Sequence, residues 1–225
     1  MKKASIIIIG GGHAGIEAAN AALNMGCNVN MFVLDSSAIG RMSCNPSIGG
    51  LAKGHLVKEI DALGGIMGRS ADNSCLQFKT LNKSKGRAVW GPRAQVDKVK
   101  YANISKSFLT RNKNFNIISE EVVDLIVKNH KALGVITSNK NNFYADAIIV
   151  TTGTFLNGLI HIGNENYRAG RLGEKAALNL TDSILNLGFE TGRLKTGTPP
   201  RIEANSVDWE KLEPSLGDKN AHPFS

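Results

Sequence analysis

IIIIGGGHAG (residues 6–15) joins a continuous β-branched run to a Gly-x-Gly-x-x-Gly motif. Such a run ending in glycine is typical of a buried parallel strand. The Ala-rich stretch Ala14–Met25, with Gly26 after its end, predicts a helix, and Val29–Leu34 predicts a second strand that ends at Asp35. Strand, helix and strand within about 30 residues predict a βαβ unit.

The glycine motif has the context that dinucleotide binding requires. Gly10 allows a tight turn, Gly12 lets the backbone approach a pyrophosphate, and Gly15 lets helix and strand pack closely. The predicted cofactor-binding residues are Gly10, Gly11, Gly12, His13, Ala14 and Gly15. Asp35, twenty residues past Gly15, is placed to accept hydrogen bonds from ribose hydroxyls. The alternative is a glycine turn in an unrelated α/β domain.

A later strand and turn favour FAD over NAD. Residues 148–153, Ile-Ile-Val-Thr-Thr-Gly, resemble the strand and small-residue turn that pass near FAD in two-dinucleotide flavoproteins. In those proteins the backbone of a valine meets the adenine, and Val122 holds the matching place. We therefore predict an α/β fold, a Rossmann-like FAD-binding domain of the glutathione-reductase type with a β crossover over residues 115–144. The alternative interpretation of residues 147–153 is a core strand with its turn.

The remaining pattern gives a coarse organisation. A Gly/Ser/Asn/Pro-rich loop is predicted over residues 36–50. Further predicted elements are helices at Leu51–Leu63 and Ala94–Thr110, strands at Phe115–Ile118, Val122–Val127 and Leu133–Thr137, and a second buried strand at Ala147–Val150. Composition then shifts to Thr, Pro and charged residues. We predict an incomplete FAD-binding domain over residues 1–195 and the start of an inserted region over residues 196–225.

The amino-acid composition indicates a cellular compartment and a class of binding partner. The formal net charge of +8 favours polyanions such as nucleic acid, although scattered lysines are also expected from composition drift. Three irregularly spaced cysteines with no CxxC argue against a disulfide framework or a zinc site and favour a reducing cytoplasm. The apolar run at the N-terminus is too short for a membrane span. We expect a cytoplasmic protein that does not bind membranes.

Ser43–Gly50, with sequence SCNPSIGG, is the loop with the most chemical content. It follows the βαβ unit where flavoproteins bring backbone over the isoalloxazine ring. Cys44 lies in polar, glycine-rich surroundings near a predicted helix start and near Lys53, which favours a thiolate. Cys27 and Cys75 are predicted to be packing residues. Cys44 is thus a candidate catalytic residue, and the alternative is a small loop residue.

Six runs spread along the chain carry a more specific signal. They are GGGHAG (10–15), SCNPSIGGLAKGHLVKEIDALGG (43–65), LNKSKGRAV (81–89), RAQVDKV (93–99), GTFLNGLIHIG (153–163) and GRLKTGTPPRI (192–202). Together they resemble the N-terminal third of the MnmG (GidA) family of tRNA-modifying flavoenzymes. SCNP followed by IGG-x-x-KGHLVKE is the most specific, because the related folate-dependent tRNA uracil methyltransferases lack the SCNP loop.

The resemblance implies a function and roles for single residues. The family adds an aminomethyl or carboxymethylaminomethyl group at C5 of the wobble uridine of tRNA, using methylene-folate, FAD and NADH as reductant. Residues 10–15 would hold the FAD pyrophosphate, Val122 the adenine, and Cys44 would be the active-site cysteine, as nucleophile or as acid/base. Ala177 matches a further FAD contact that is often Ser, so only its backbone could serve. The role of Asp35 is less firmly implied.

The resemblance also implies partners and missing parts. Family members form homodimers and work with a GTPase subunit in a heterotetramer. They are more than twice as long, and the NADH site, a second cysteine and the return of the FAD domain lie beyond residue 225. We therefore expect the chain to be a truncated fragment. Two alternatives are a generic FAD/NAD-dependent oxidoreductase and a non-catalytic FAD-binding remnant.

A group of basic residues and two histidines are further candidates for binding roles. Five cations and one aromatic residue, which could meet RNA phosphates and stack a base or could form a solvated face, are Lys79, Lys83, Lys85, Arg87, Arg93 and Trp90. His55 and His161 have no partner at metal-ligand spacing, so we predict no metal site.

Overall fold

Helices are concentrated in the first half of the chain, and short strands dominate the second half. The structure is a computed structural model and describes residues 3–42, 45–171, 173–195, 197, 200 and 202–225. The strands are β1 Ser5–Ile9, β2 Asn28–Phe32, β3 Ser47–Gly49, β4 Cys75–Leu81, β5 Gly91–Val96, β6 Phe115–Ile118, β7 Val122–Lys128, β8 Lys131–Thr137, β9 Asn142–Tyr144, β10 Ala147–Val150, β11 Leu159–Ile162 and β12 Glu165–Arg168. The helices are α1 His13–Asn24, α2 Lys53–Ala62, α3 Met67–Asn73, α4 Lys98–Thr110 and α5 Leu180–Asn186.

The central sheet is parallel, in the order β10-β1-β2-β6. Ile7 and Ile8 point to opposite faces of β1, and both are 0% exposed, so this strand is covered on both sides. Burying each isoleucine contributes about 2 kcal/mol relative to leaving it in water. β1, α1 and β2 confirm the predicted βαβ unit. The α/β, Rossmann-like fold class is also confirmed.

β10 was predicted to be buried, and this prediction is wrong. Within the described residues β10 pairs only with β1, so it lies at the edge of the sheet. Val150 is 41% exposed and Ala147 is also exposed. An apolar run of this length is typical of an inner strand, but the run alone does not determine how many neighbours the strand has.

A second sheet, which is antiparallel, forms the predicted β crossover. β7, β8 and β9 pair in that order. In sequence they lie between β6 and β10, which are the two outer strands of the central sheet. Phe143 of β9 meets Phe32 of β2 edge to face, with ring centroids 4.9 Å apart. Val122 and Val135 are buried in the same cluster. This contact fixes the crossover sheet on one face of the central sheet.

The predicted helix at Ala94–Thr110 begins four residues too early. Residues 94–96 belong to β5, and α4 begins at Lys98. The boundary is set by Asp97, whose carboxylate accepts hydrogen bonds from the backbone N–H groups of Val99 and Lys100 at 2.9 and 3.0 Å. An Asp in this position satisfies two donors that the first helical turn leaves without partners.

A third sheet, β3-β5-β4, was not predicted. Its strand β3 lies within the predicted loop 36–50, and β4 and β5 follow α3 in sequence. The sheet packs against α2 and α3. Its core includes Ile48, Phe78, Ala94 and Phe224. The end of the chain closes the edge of β4, because Asp218 N–H donates to Phe78 at 2.8 Å and the Asp218 carboxylate accepts from Thr80 N–H at 2.9 Å. The proposed domain boundary near residue 196 stays a prediction.

Glu17 of α1 joins the central unit to α3. Its carboxylate accepts hydrogen bonds from the backbone N–H groups of Ile66 and Met67, at 3.0 and 2.6 Å. These donors lie at the N-terminus of α3, where a helix has no internal acceptors for them. Burial raises the pKa of the Glu17 carboxyl above its ordinary value, although the two backbone hydrogen bonds oppose the shift.

The raised pKa of Glu17 predicts a pH dependence of stability. Between the unfolded value, about 4.3, and the higher folded value, the native state binds more protons than the unfolded state. The free energy of unfolding therefore falls as pH rises through this window. We expect Glu17→Gln to remove this decline. Urea unfolding between about pH 4 and 6 checks it, with the exposed Glu59→Gln as control, and equal slopes for all three proteins would contradict it.

Candidate functional site

The glycine loop after β1 turns sharply beside the end of β10. Gly10 has φ +107°, a conformation that favours glycine, and its N–H donates to the carbonyl of Phe32 at 2.9 Å. A Cβ at Gly10 would overlap the carbonyl oxygen of Thr151. The Thr151 hydroxyl donates to the carbonyl of Ile9 at 3.0 Å. Thr151, directly after β10, therefore lies against the glycine turn. The predicted proximity of residues 148–153 to FAD stays a prediction.

Gly15 and Gly11 allow the loop to pack. A Cβ at Gly15 would overlap the carbonyl oxygen of Gly10 and lie 2.9 Å from the Thr151 hydroxyl. A Cβ at Gly11 would lie 2.9 Å from both the Val33 and Ile39 side chains. Both glycines are therefore required by close contacts within the protein.

Gly15→Ala is expected to destabilise the fold. The overlap with backbone cannot be relieved by a rotamer change, so the free energy of unfolding should fall by at least about 2 kcal/mol. Thermal melting of the variant without ligand measures this. Gly192→Ala is the matched control, because a Cβ there meets no atom within 4 Å. A melting temperature equal to that of the wild type would contradict the close packing of α1 on β1.

Gly12 differs from its neighbours because it faces open space. It has extended backbone, φ −73° and ψ −173°, and no atom lies within 4 Å of a Cβ built there. It is the N-cap of the twelve-residue α1, has no side-chain cap, and precedes a first turn without acidic residues. The free N–H groups and positive end of such a helix attract anions. This cradle fits a phosphate that approaches the backbone closely.

His13 and Ala14 begin α1. His13 Nδ1 lies 3.3 Å from the Tyr101 hydroxyl, and the two rings meet edge to face. Burial, with a smaller effect from Arg171, lowers the pKa of His13. The imidazole is therefore neutral at neutral pH. Ala14 is exposed, so its backbone can be approached from outside.

Asp35 lies three residues past the end of β2. Its carboxylate accepts hydrogen bonds from the N–H and the hydroxyl of Ser37, each at 2.7 Å, and lies 3.5 Å from Arg41. The Ser37 hydrogen bonds hold the pKa of Asp35 below its ordinary range. The side chain is exposed, and a charged carboxylate has further lone pairs for ribose hydroxyls. Its ribose role stays a prediction.

The two other predicted FAD contacts lie in different surroundings. Val122 begins β7, and its side chain is buried, so a ligand could meet only its backbone. The N–H of Ala177 donates to Phe155 at 3.3 Å, and its carbonyl accepts from Asn157 N–H at 2.7 Å. The backbone of Ala177 is thus already engaged, and only a carbonyl lone pair remains for a ligand.

Two arginines near the glycine loop were not predicted. Arg41 forms an ion pair with Glu174 and lies 3.5 Å from Asp35. Arg171 lies 3.6 Å from the same glutamate and acts on the pKa of His13. The two arginines lie 130 positions apart in sequence. Neither belongs to a local motif, so no pattern in the sequence could have brought them together.

Cys44 and Ser43 lie outside the residues that the structure describes, so the catalytic assignment stays a prediction. The chain that follows is anchored by Val96 N–H, which donates to Pro46 at 2.7 Å. Gly49 and Gly50 both have positive φ. Cys27 and Cys75 are half-buried free thiols that pack beside hydrophobic clusters, as predicted.

The described residues contain neither a cluster of metal ligands nor a membrane-spanning helix. Among the described residues, no group of three or more His, Cys, Asp or Glu side chains converges as metal ligands would. Within the same part of the chain, no helix combines the length and apolar character needed to cross a bilayer.

Comparison with known proteins places the chain in a family. A family model described as Glucose inhibited division protein A matches residues 5–225. The tRNA uridine 5-carboxymethylaminomethyl modification enzyme MnmG of Campylobacter hominis is 51% identical over 220 residues, covering 98% of this chain and 34% of that protein. The protein of the same name from Thermodesulfovibrio yellowstonii is 50% identical over 224 residues, covering 100% and 36%.

A solved structure of GidA from Aquifex aeolicus superposes on the chain with a TM-score of 0.94. It is 49% identical, and the match covers 99% of this chain and 37% of that one. The chain therefore spans about a third of the length of the curated relatives it matches. Since the family model and these identities extend over nearly all of its residues, the chain belongs to the Glucose inhibited division protein A (GidA) family.

Proposed function

We propose that this chain supplies the FAD site of an enzyme that adds an aminomethyl or carboxymethylaminomethyl group at C5 of the wobble uridine of tRNA. The observation that carries the proposal is the open approach to Gly12 at the N-terminus of α1, in a chain that belongs to the GidA family. Relatives with about half of their matched residues identical are named tRNA uridine 5-carboxymethylaminomethyl modification enzymes.

The residues of the glycine loop would have different roles in binding FAD. The backbone of Gly12, His13 and Ala14 would donate hydrogen bonds to the pyrophosphate of FAD. Gly10 and Gly15 make this approach possible by letting the turn and α1 pack without side chains. Asp35 would accept hydrogen bonds from the ribose, and the backbone of Val122 would meet the adenine. Ala177 is the weakest of these contacts, because its N–H is already engaged.

Arg41 and Arg171 bring two guanidinium groups close to the glycine loop. Glu174 lies against both of them, and Asp35 also lies 3.5 Å from Arg41, so the arginines belong to a network of ion pairs. Bound FAD would supply hydride chemistry to the reaction. Cys44 would act on the uracil ring as nucleophile or as acid/base. His13, held 3.3 Å from the Tyr101 hydroxyl, would contribute its backbone to this loop.

The whole enzyme is proposed to need further components. NADH would reduce the flavin from a site outside this chain, and methylene-folate would supply the carbon. A GTPase subunit would join a homodimer of the enzyme in a heterotetramer, in the cytoplasm. We propose that residues 1–195 form an incomplete FAD-binding domain and residues 196–225 the start of an inserted region.

Reconstitution with purified components tests this proposal. The complete protein, loaded with FAD, is incubated with unmodified tRNA, methylene-folate, NADH and the GTPase partner, and the wobble nucleoside is identified by mass spectrometry. We expect modification at C5 of uridine that depends on FAD. A flavin-loaded protein that oxidises NADH but leaves tRNA unchanged would instead support a generic oxidoreductase.

A further inference from the structure

The sheet β3-β5-β4 has an inner face and an outer face. Its inner face includes one row of residues paired across the strands, Ile48, Ala94 and Phe78, which lie in the core shared with α2. Side chains alternate along a strand, so the next row lies on the opposite face. In that row Arg93 of β5 is paired with Lys79 of β4. We call this opposite side of the sheet the outer face.

Arg93 lies on the central strand of the outer face, and its Nε has no hydrogen-bond partner in the part of the chain that the structure describes. The residue is half-buried and its Nε is fully buried, with no hydrogen-bond acceptor for that atom among the described residues. No ion pair to a described carboxylate involves this guanidinium. A buried donor without an acceptor costs about 1–3 kcal/mol, and more when it is charged.

Lys79 places a second positive charge beside Arg93. It lies directly opposite Arg93 in the register of β4 and β5, where side chains on one face are neighbours. Its Nζ donates to the hydroxyl of Ser215 at 2.7 Å, a neutral partner that leaves the charge in place. Like charges directly opposite each other destabilise a sheet. An anion between the two side chains would relieve both the repulsion and the unmet donors of Arg93.

We infer that Arg93 and Lys79 bind a phosphodiester of the RNA substrate on the outer face. This inference rests on the proposed function. The planar guanidinium of arginine offers paired donors that match a phosphate, and lysine adds a point charge. Phosphodiester groups of a polyanion fit better than a small anion, because the cationic surface continues beyond this pair.

The continuation lies in the loop between β4 and β5. Arg93 is two paired positions from Gly91, where β5 begins and this loop ends. Lys85 and Arg87 are exposed in the loop, and the Arg87 guanidinium lies 5.7 Å from the centre of the Trp90 ring. An aromatic ring beside cations is typical of surfaces that bind single-stranded RNA.

Lys83 belongs to the same loop but has a different environment. Its Nζ lies 2.8 Å from the Asp218 carboxylate, which neutralises its charge. The structure therefore separates cations that the sequence could only group together. Arg93 and Lys79 are available for an anion, whereas Lys83 already has one. This difference provides a matched control variant.

The test uses the complete FAD-loaded protein and an unmodified tRNA transcript labelled for fluorescence anisotropy. We expect Arg93→Gln to weaken tRNA binding about tenfold or more. The slope of log affinity against log salt should fall by about 0.7 to 1. Arg93→Lys should recover part of the affinity, and Lys83→Gln should change it less than about threefold. FAD content should stay at the wild-type level in all variants.

Stability without RNA separates binding from a structural role. Arg93→Gln removes an unpaired charge beside Lys79, so its melting temperature should equal or exceed that of the wild type. A lower melting temperature would make Arg93 a structural residue and overturn the inference, as would wild-type tRNA affinity and salt slope. Loss of FAD with unchanged tRNA binding would assign the anion to the cofactor and overturn it too. Failure of the wild-type protein to bind tRNA would instead contradict the proposed function.

Discussion

Gly12→Ala is expected to yield a folded protein that has lost its FAD. A methyl group at Gly12 would stand where a phosphate must meet the backbone, and removing such charge-assisted hydrogen bonds costs about 3 kcal/mol. The affinity for FAD should therefore fall by at least about 100-fold. Absorbance of the purified complete protein and titration of the apo-protein with FAD measure this loss.

The fold should tolerate the same substitution. A Cβ at Gly12 meets no atom within 4 Å, and φ of −73° is accessible to alanine. The melting temperature of the apo-protein should stay close to that of the wild type, because alanine restricts the unfolded chain but is a poorer N-cap than glycine. Gly15→Ala should differ, because it loses stability as well as ligand. Wild-type FAD content in Gly12→Ala would show that the pyrophosphate binds elsewhere.

Cys44→Ser is expected to keep FAD and to lose wobble-uridine modification. The substitution leaves the glycine loop intact but replaces a thiol by a much weaker nucleophile and acid. The rate should fall by at least about a thousandfold, the scale on which enzymes lose activity when a reacting group is removed. Modification of tRNA by the complete enzyme is followed by nucleoside mass spectrometry, with FAD content measured in the same preparation.

The other two cysteines are the matched controls. Cys75 is half-buried, and burial raises the pKa of its thiol, so it is less able to form a thiolate. Cys27 is also half-buried and packs against the core of the βαβ unit. Cys27→Ser and Cys75→Ser should keep activity at a modest cost in stability. Normal turnover in Cys44→Ser would reduce Cys44 to a loop residue.

The fold was predictable where local pattern and global position agree. Four consecutive isoleucines, three glycines and an Ala-rich stretch specify β1, the turn and α1, because each has one common structural use. The crossover sheet was predictable for a similar reason, since β-rich segments of suitable length separate the outer strands of the central sheet. The candidate site at Gly10–Gly15 rests on the same residues, and its role in binding FAD stays a prediction.

The rest depends on contacts that are distant in sequence. β4 and β5 pair across a loop of short 3₁₀ turns, and the pattern of β5 runs directly into α4, so the strand was predicted as part of the helix. The exposure of β10 depends on its neighbours in the sheet. Arg41 and Arg171 meet across 130 positions through Glu174. None of these relations has a periodic or motif-like signal.

We propose that this glycine-loop domain is the flavin site of a tRNA-modifying enzyme. The most direct test is the wobble-nucleoside content of tRNA from cells that lack the gene, carrying either the wild-type gene or the Gly12→Ala variant. We predict that the C5 aminomethyl-type modification is absent in the deletion, restored by the wild type and not restored by Gly12→Ala. Normal modification in the deletion strain, or full restoration by a Gly12→Ala protein that holds no FAD, would contradict the claim.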